Sequence, residues 1–301
     1  MDWDAEVDVL CVGAGIGGLA TAIAAVDAAA DVMVAGALPA DDGRWLRGDD
    51  VHCVTLGAVL DARIDEFDVP RGVPDDAPEP DAARPGEAES AEPETEEQLD
   101  ATAVYFAAVT AEVDVDESAP PANGRPVPAR AVRELTESET HARTIETFFG
   151  AGLLDWAGAC LDSVTGALYS TVRGWSAETL RDSVGKTLRL ASLGAIEWRA
   201  GDGPDELFDW LAVAAAERDI AVSADSTLRA LLFEDRRIIG AELNTPDGPY
   251  FVRARHGVVI SPDFTGGGGP AEADALPAGD LEVCIVGQPA SRFARVELVA
   301  R

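Results

Sequence analysis

Val7 to Val12 is a short valine-rich apolar run, the pattern of a strand buried on both faces. A cluster of glycines follows, then the alanine-rich stretch Leu19 to Ala30 with helical character, then a second apolar run, Val32-Met33-Val34. Two such strands joined by a helix are expected to lie parallel, as one βαβ unit. Thr136-Glu137-Ser138-Glu139 has the form of a capping box and predicts a helix running toward Phe148, with Gly150 and Gly152 as its stop. A further helix is expected from Ser176 toward Leu190. Pro204 suits a first helical turn, and Leu207, Phe208, Leu211, Ala212 and Ala215 make one apolar face of a helix ending near Asp219.

Strands then come in quick succession: Ala221 to Ser223, Leu228 to Phe233, Ile238 to Asn244, Tyr250 to Ala254 and Gly257 to Ser261. The turn sequences Glu234-Asp235-Arg236 and Thr245-Pro246-Asp247-Gly248 make the middle three an antiparallel meander. Val258-Val259-Ile260 reads as a return to a buried central strand. Leu281 to Val286 is expected to add one more.

Composition narrows the function classes. The 301 residues carry 23 Lys plus Arg against 55 Asp plus Glu, a net charge of -32. A field of that sign disfavours nucleic acid phosphate and anionic membranes as direct partners. Lys186 is the only lysine, a bias that fits either genomic composition or life at high salt. The acidic, proline-rich tract at 75–100 buries too little to offset its ordering entropy and is expected to be a disordered loop. Cys11, Cys53, Cys160 and Cys284 are too widely spaced for a disulfide framework or a zinc site, and a cytoplasmic setting follows. The apolar stretch Leu19 to Leu38 is interrupted by Asp27 and Asp31, so no membrane span is expected.

The candidate chemistry lies in Gly13-Ala14-Gly15-Ile16-Gly17-Gly18. Directly after a strand and opening a helix, Gly13, Gly15 and Gly18 satisfy the G-x-G-x-x-G pattern of a dinucleotide turn. Gly13 would allow the tight turn, Gly15 the approach of a pyrophosphate, and Gly18 the packing of helix on strand. The acidic residue that normally binds a ribose about twenty positions on is missing, because the strand tip is Val34-Ala35-Gly36. Asp41 and Asp42 follow in the next loop.

Asp8 to Leu19 with Ala22, and then Gly203 to Ile260 with its helix, meander, Ile239-Gly240-Ala241 and Arg253 to Ile260, resemble the flavoprotein subunits of fumarate reductase and succinate dehydrogenase and the related 3-ketosteroid dehydrogenases. The resemblance implies an α/β fold, a Rossmann-like FAD-binding domain with a parallel sheet plus the antiparallel meander. It also implies FAD as cofactor, held at Gly13, Gly15, Gly17 and Gly18. On this reading 1–74 and 101–265 form the FAD-binding-type domain, interrupted by the acidic loop, and 266–301 is a C-terminal tail. The chain departs from the family in two places. Ser261-Pro262-Asp263-Phe264 stands where relatives have Ala-Thr-Gly-Gly after the Val-Val-Ile strand, close to the cofactor. The residues after Ile260 are too few for the family's substrate-capping domain, so the cap is expected to be absent.

Two functions are compatible with this pattern. One is the FAD-binding component of an oxidoreductase, with another protein chain completing the site. The other is a non-catalytic subunit, structural or regulatory, that has lost the flavin. His52, His141 and His256 are isolated and lack metal or triad context. Trp156, Trp175, Trp198 and Trp210 read as packing anchors.

Overall fold

The computed structural model describes residues 3–36, 101–111, 113, 126–141, 150–171, 177–235, 237–264, 266 and 279–301, with the backbone alone for residues 141, 150 and 151. The expected acidic loop at 75–100, His52, Cys53, the acids Asp41 and Asp42, and Trp175 lie outside the described residues. The N-terminal unit is β1 (Ala5–Val12), α1 (Ile16–Asp27) and β2 (Val32–Ala35). Then come α2 (Ala101–Thr110), β3 (Ala129–Glu134), α3 (Glu137–His141), α4 (Gly150–Leu161), β4 (Gly166–Tyr169), β5 (Glu178–Asp182) and β6 (Thr187–Trp198). The C-terminal part comprises α5 (Pro204–Ala216), β7 (Val222–Ser223), β8 (Thr227–Glu234), β9 (Arg237–Thr245), β10 (Gly248–Ile260), β11 (Gly279–Gly287) and β12 (Phe293–Ala300).

These strands make one mixed sheet of twelve with few helices. One parallel run is four strands wide, in the order β10, β1, β2, β7, and β3 also pairs parallel with β12. α1 makes the crossover between β1 and β2 as the apolar pattern predicts. The meander forms as expected: β8 pairs β9 and β9 pairs β10, both antiparallel. β10 is one continuous strand rather than two. Arg255 and His256 are absorbed as an irregularity against β1 between Val7 and Val9. That extra residue flips the faces of β1: Val9 and Cys11 join the core under α1 and α5, whereas Val7, Leu10 and Val12 join the core on the opposite face.

Three sequence expectations are corrected. The helix expected from Ser176 toward Leu190 is instead a hairpin, β5 paired antiparallel with β6. Its turn is held by Asp182, whose Oδ1 accepts the backbone N–H groups of Val184 (3.1 Å) and Lys186 (2.8 Å), and by Gly185 at φ +86. Both features favour a reversal over helix. Gly150 and Gly152 lie inside α4 rather than beyond a helix end. The C-terminal residues supply two strands where one was expected.

Those two strands close a ring that the sequence pattern does not reveal. β11 pairs β6 and β12, β6 pairs β5, β5 pairs β3, and β3 pairs β12, so five strands return on themselves. Ala129, Ala131 and Thr179 are exposed on its outside. Val132, Leu180, Leu188, Leu190, Cys284, Val286 and Val299 are buried together within it. The opposite faces of β6, β11 and β12 pack toward α1 and α5 through Leu193, Val283, Ile285, Val296 and Leu298. Closure leaves these strands without a free edge.

Candidate functional site at the glycine turn

The glycine turn leaves β1 at the centre of the parallel strands, where a ligand crevice is expected. Gly13 has φ +99, a conformation that favours glycine, and its N–H donates to the Ala35 carbonyl at 3.0 Å. Gly15 is the N-cap residue of α1 and offers no side-chain cap, and the first turn of the helix carries no acid. The positive end of α1 therefore has no negative charge from its own sequence.

That charge comes from the far end of β10. The Ala14 N–H donates to Asp263 Oδ1 at 2.9 Å, a contact between residues 249 apart in the chain. The whole of Ser261 to Phe264 lies against the turn. The Ser261 N–H donates to the Val12 carbonyl at 2.9 Å, and Ser261 Oγ donates to the Gly13 carbonyl at 3.1 Å. A β-carbon on Gly13 would fall on the Ser261 carbonyl oxygen, and one on Gly15 would fall on the Pro262 carbonyl oxygen, 3.1 Å from the Phe264 nitrogen. The Phe264 ring packs at a tilt against Phe208 of α5, with centroids 5.0 Å apart and planes 35° apart.

The other two glycines also face protein. A β-carbon on Gly17 would meet the Gly166 carbonyl oxygen, and one on Gly18 the Gly13 carbonyl oxygen. Gly17 accepts from Thr21 Oγ1 at 2.8 Å, and Thr21 Oγ1 lies 2.9 Å from the Tyr169 hydroxyl. Burial pushes the Tyr169 hydroxyl well above its ordinary pKa. Each glycine of the motif is thus explained by close approach of the chain's own backbone.

The strand tip at Gly36, where a ribose carboxylate is missing, is also occupied. Its N–H donates to the Ser223 carbonyl at 2.8 Å and to Ser226 Oγ at 3.1 Å. A β-carbon there would lie 2.6 Å from the Ala224 carbonyl oxygen. With the Asp263 carboxylate on the Ala14 N–H, the residues at the phosphate end of the turn do not suit a pyrophosphate in this arrangement. A cavity of ≈ 50 Å³ lies beside Tyr169, Arg189, Ile285, Gln288 and Ser291, far below the roughly 300 Å³ and more of a typical ligand pocket.

The remaining sequence candidates are structural in their surroundings. His256 is half-exposed, its Nδ1 3.6 Å from Asp8 Oδ1. Cys11, Cys160 and Cys284 are free, buried thiols. Trp156 donates from Nε1 to the Phe293 carbonyl at 2.9 Å, and the Trp210 ring stands over Gly194. Trp198 packs against the core under α1, and His141 lies in α3. Among the described residues no group of three or more His, Cys, Asp and Glu is placed to hold a metal ion, and no helix is long and apolar enough to cross a membrane. The residues that matter most here, Asp263 and Phe264, are marked in the sequence only by their departure from Ala-Thr-Gly-Gly.

No family model and no curated protein matches the chain. Among solved structures it is similar to the open conformation of a flavocytochrome c3 fumarate reductase, with 15% identity and TM-score 0.31 over 84% of this chain and 33% of that one. It is also similar to a 3-ketosteroid-Δ4-(5α)-dehydrogenase from Rhodococcus jostii RHA1 in complex with 4-androstene-3,17-dione, with 15% identity and TM-score 0.30 over 86% and 46%. A third is a geranylgeranyl bacteriochlorophyll reductase-like protein from Thermoplasma acidophilum, with 15% identity and TM-score 0.26 over 83% and 38%. The chain spans less than half the length of each.

Proposed function

We propose that this chain is a non-catalytic relative of the FAD-binding flavoproteins, one that keeps the Rossmann-like turn as scaffold and acts as a structural or regulatory subunit bound to another protein chain in the cytoplasm. The observation that carries the reading is the hydrogen bond from the Ala14 N–H to the Asp263 carboxylate. A pyrophosphate at the head of α1 would lie beside that N–H and bring its charge against a carboxylate and the Pro262 carbonyl oxygen. The packing of Phe264 against Phe208 supports the same reading, since a site without its ligand is expected to be packed by side chains. The buried free thiols suit a reducing compartment.

The test is an absorption spectrum of the protein purified with its natural partners, followed by titration calorimetry with FAD. The expected result is a flat baseline at about 450 nm, the region of flavin absorption, with no heat of FAD binding and co-elution with a second chain. A flavin band that survives desalting overturns the reading.

A second reading has its own support in the βαβ geometry and the spacing of Gly13, Gly15, Gly17 and Gly18. In it the chain is the FAD-binding component of an oxidoreductase whose partner covers the flavin and supplies catalytic residues. It requires Ser261 to Phe264 to leave the turn when FAD enters, and the same titration decides between the two.

A further inference from the structure

We infer that the chain supplies its own anion at the glycine turn: the Asp263 carboxylate stands where a phosphate would stand, and the head of α1 depends on it. This rests on the fold reading above and adds a role for one residue. α1 begins at a glycine cap without a side-chain partner and has no acid in its first turn. α5 is equipped differently, with Asp205 and Glu206 in its first turn and the Gly203 N–H donating to Glu206 Oε2 at 2.7 Å. An unsatisfied N–H at a buried helix head is costly, and so is its uncompensated dipole. Asp263 sets a carboxylate beside that head, on the N–H of Ala14, the residue just before the Gly15 cap.

Its position is enforced from both sides along the chain. Ser261 and Pro262 are buried against the turn, so the backbone delivers residue 263 to the head of α1. Phe264 anchors the next position on Phe208, and Gly266 follows within reach of Asp205 in the first turn of α5. The carboxylate is therefore held as an internal ligand beside the head of α1, in the manner of a bound anion.

The test compares wild type, Asp263→Gly and Asp263→Asn by amide hydrogen exchange, with inorganic phosphate as the probe against chloride at equal ionic strength. The Ala14 amide is expected to exchange at least about tenfold faster in Asp263→Gly, the mark of local opening, while Leu10 and Val12 on β1 stay protected and report an intact fold. Asp263→Asn, which keeps an acceptor without the charge, is expected to fall between. Phosphate should slow Ala14 exchange in Asp263→Gly and leave wild type unchanged.

Unaltered Ala14 exchange in Asp263→Gly overturns the inference, and the proposed function is then decided by the FAD titration alone. An equal effect of phosphate on wild type and variant also overturns it, since no anion place would have been vacated. Stoichiometric FAD binding to wild type with loss of the Ala14–Asp263 protection overturns both.

Discussion

Glu297 on β12 and Arg130 on β3 meet within the closed ring as a two-pronged ion pair, and Glu297 is fully shielded from solvent. Arg295 Nε adds a third contact to the same carboxylate at 2.7 Å, and Arg130 reaches Asp182 at 3.4 Å. The Trp156 ring lies beside both guanidiniums, 5.1 Å from Arg295 and 5.9 Å from Arg130. The cluster is balanced, two cations against two anions, and ties three strands of the ring to α4.

Removing the central carboxylate should leave two arginines uncompensated. Glu297→Gln is expected to lower unfolding free energy by about 3 kcal/mol or more, the usual cost of breaking a buried pair by taking one partner. Urea unfolding followed by tryptophan fluorescence measures it. A change under about 0.5 kcal/mol would show that the pair contributes little to the ring.

The motif glycines should matter to a protein that has never met a nucleotide. Gly13→Ala and Gly18→Ala each drive a β-carbon into backbone carbonyl oxygen, and backbone yields less readily than a side-chain tip. Each is expected to cost about 1–3 kcal/mol by overpacking, with Gly13→Ala also strained at its positive φ. Thermal unfolding of flavin-free protein checks this. Stability unchanged in both variants would mean that the turn is looser than its contacts imply.

Stability should fall on the alkaline side. Burial pushes the Cys11 thiol up from its usual 9.0 to about 12 and the Cys284 thiol likewise to about 12. The unfolded chain releases these protons near pH 9 while the folded chain holds them. Their contribution is therefore complete below pH 9 and is lost as pH rises toward 12. For the fully buried Cys11 the slope approaches about 1.4 kcal/mol per pH unit. Urea midpoints taken between pH 8 and 11 should decline in wild type and decline less steeply in Cys11→Ala.

Thr21 and Tyr169 join α1 to β4 through a buried hydroxyl pair at 2.9 Å. Tyr169→Phe is expected to cost about 1 kcal/mol, the usual net value of one hydrogen bond. A double-mutant cycle with Thr21→Val should show coupling of similar size. Additivity of the two substitutions would remove the bond as a link between helix and sheet.

The local elements were legible because their signals are local. Valine-rich β1, the glycine turn, the alanine-rich α1 and the meander each declare themselves through periodicity and turn chemistry, and the structure has them in place. The capping box is present as read, with the Thr136 N–H donating to Glu139 Oε2 at 2.8 Å and the Glu139 N–H to Thr136 Oγ1 at 3.3 Å. The β5–β6 hairpin was misread as helix because its Ala, Glu, Leu and Arg content favours helix locally. Its alternation only pays off once Leu180, Leu188 and Leu190 share the inside of a ring.

What the tertiary structure alone decided is which group faces the glycine turn. The sequence places Gly13, Gly15 and Gly18 at a dinucleotide spacing, and it marks Ser261 to Phe264 as a departure from the expected glycines. It contains no term for the distance between them. That distance is set by the parallel register of β1 on β10, where Val12 stands beside Ile260, so both strands end at the same level and the residues leaving each must meet. The ring has the same origin: five strands distributed from Ala129 to Ala300 acquire a common interior only when β12 pairs with both β3 and β11. Periodicity determines which face of a strand is apolar; long-range pairing determines what that face meets.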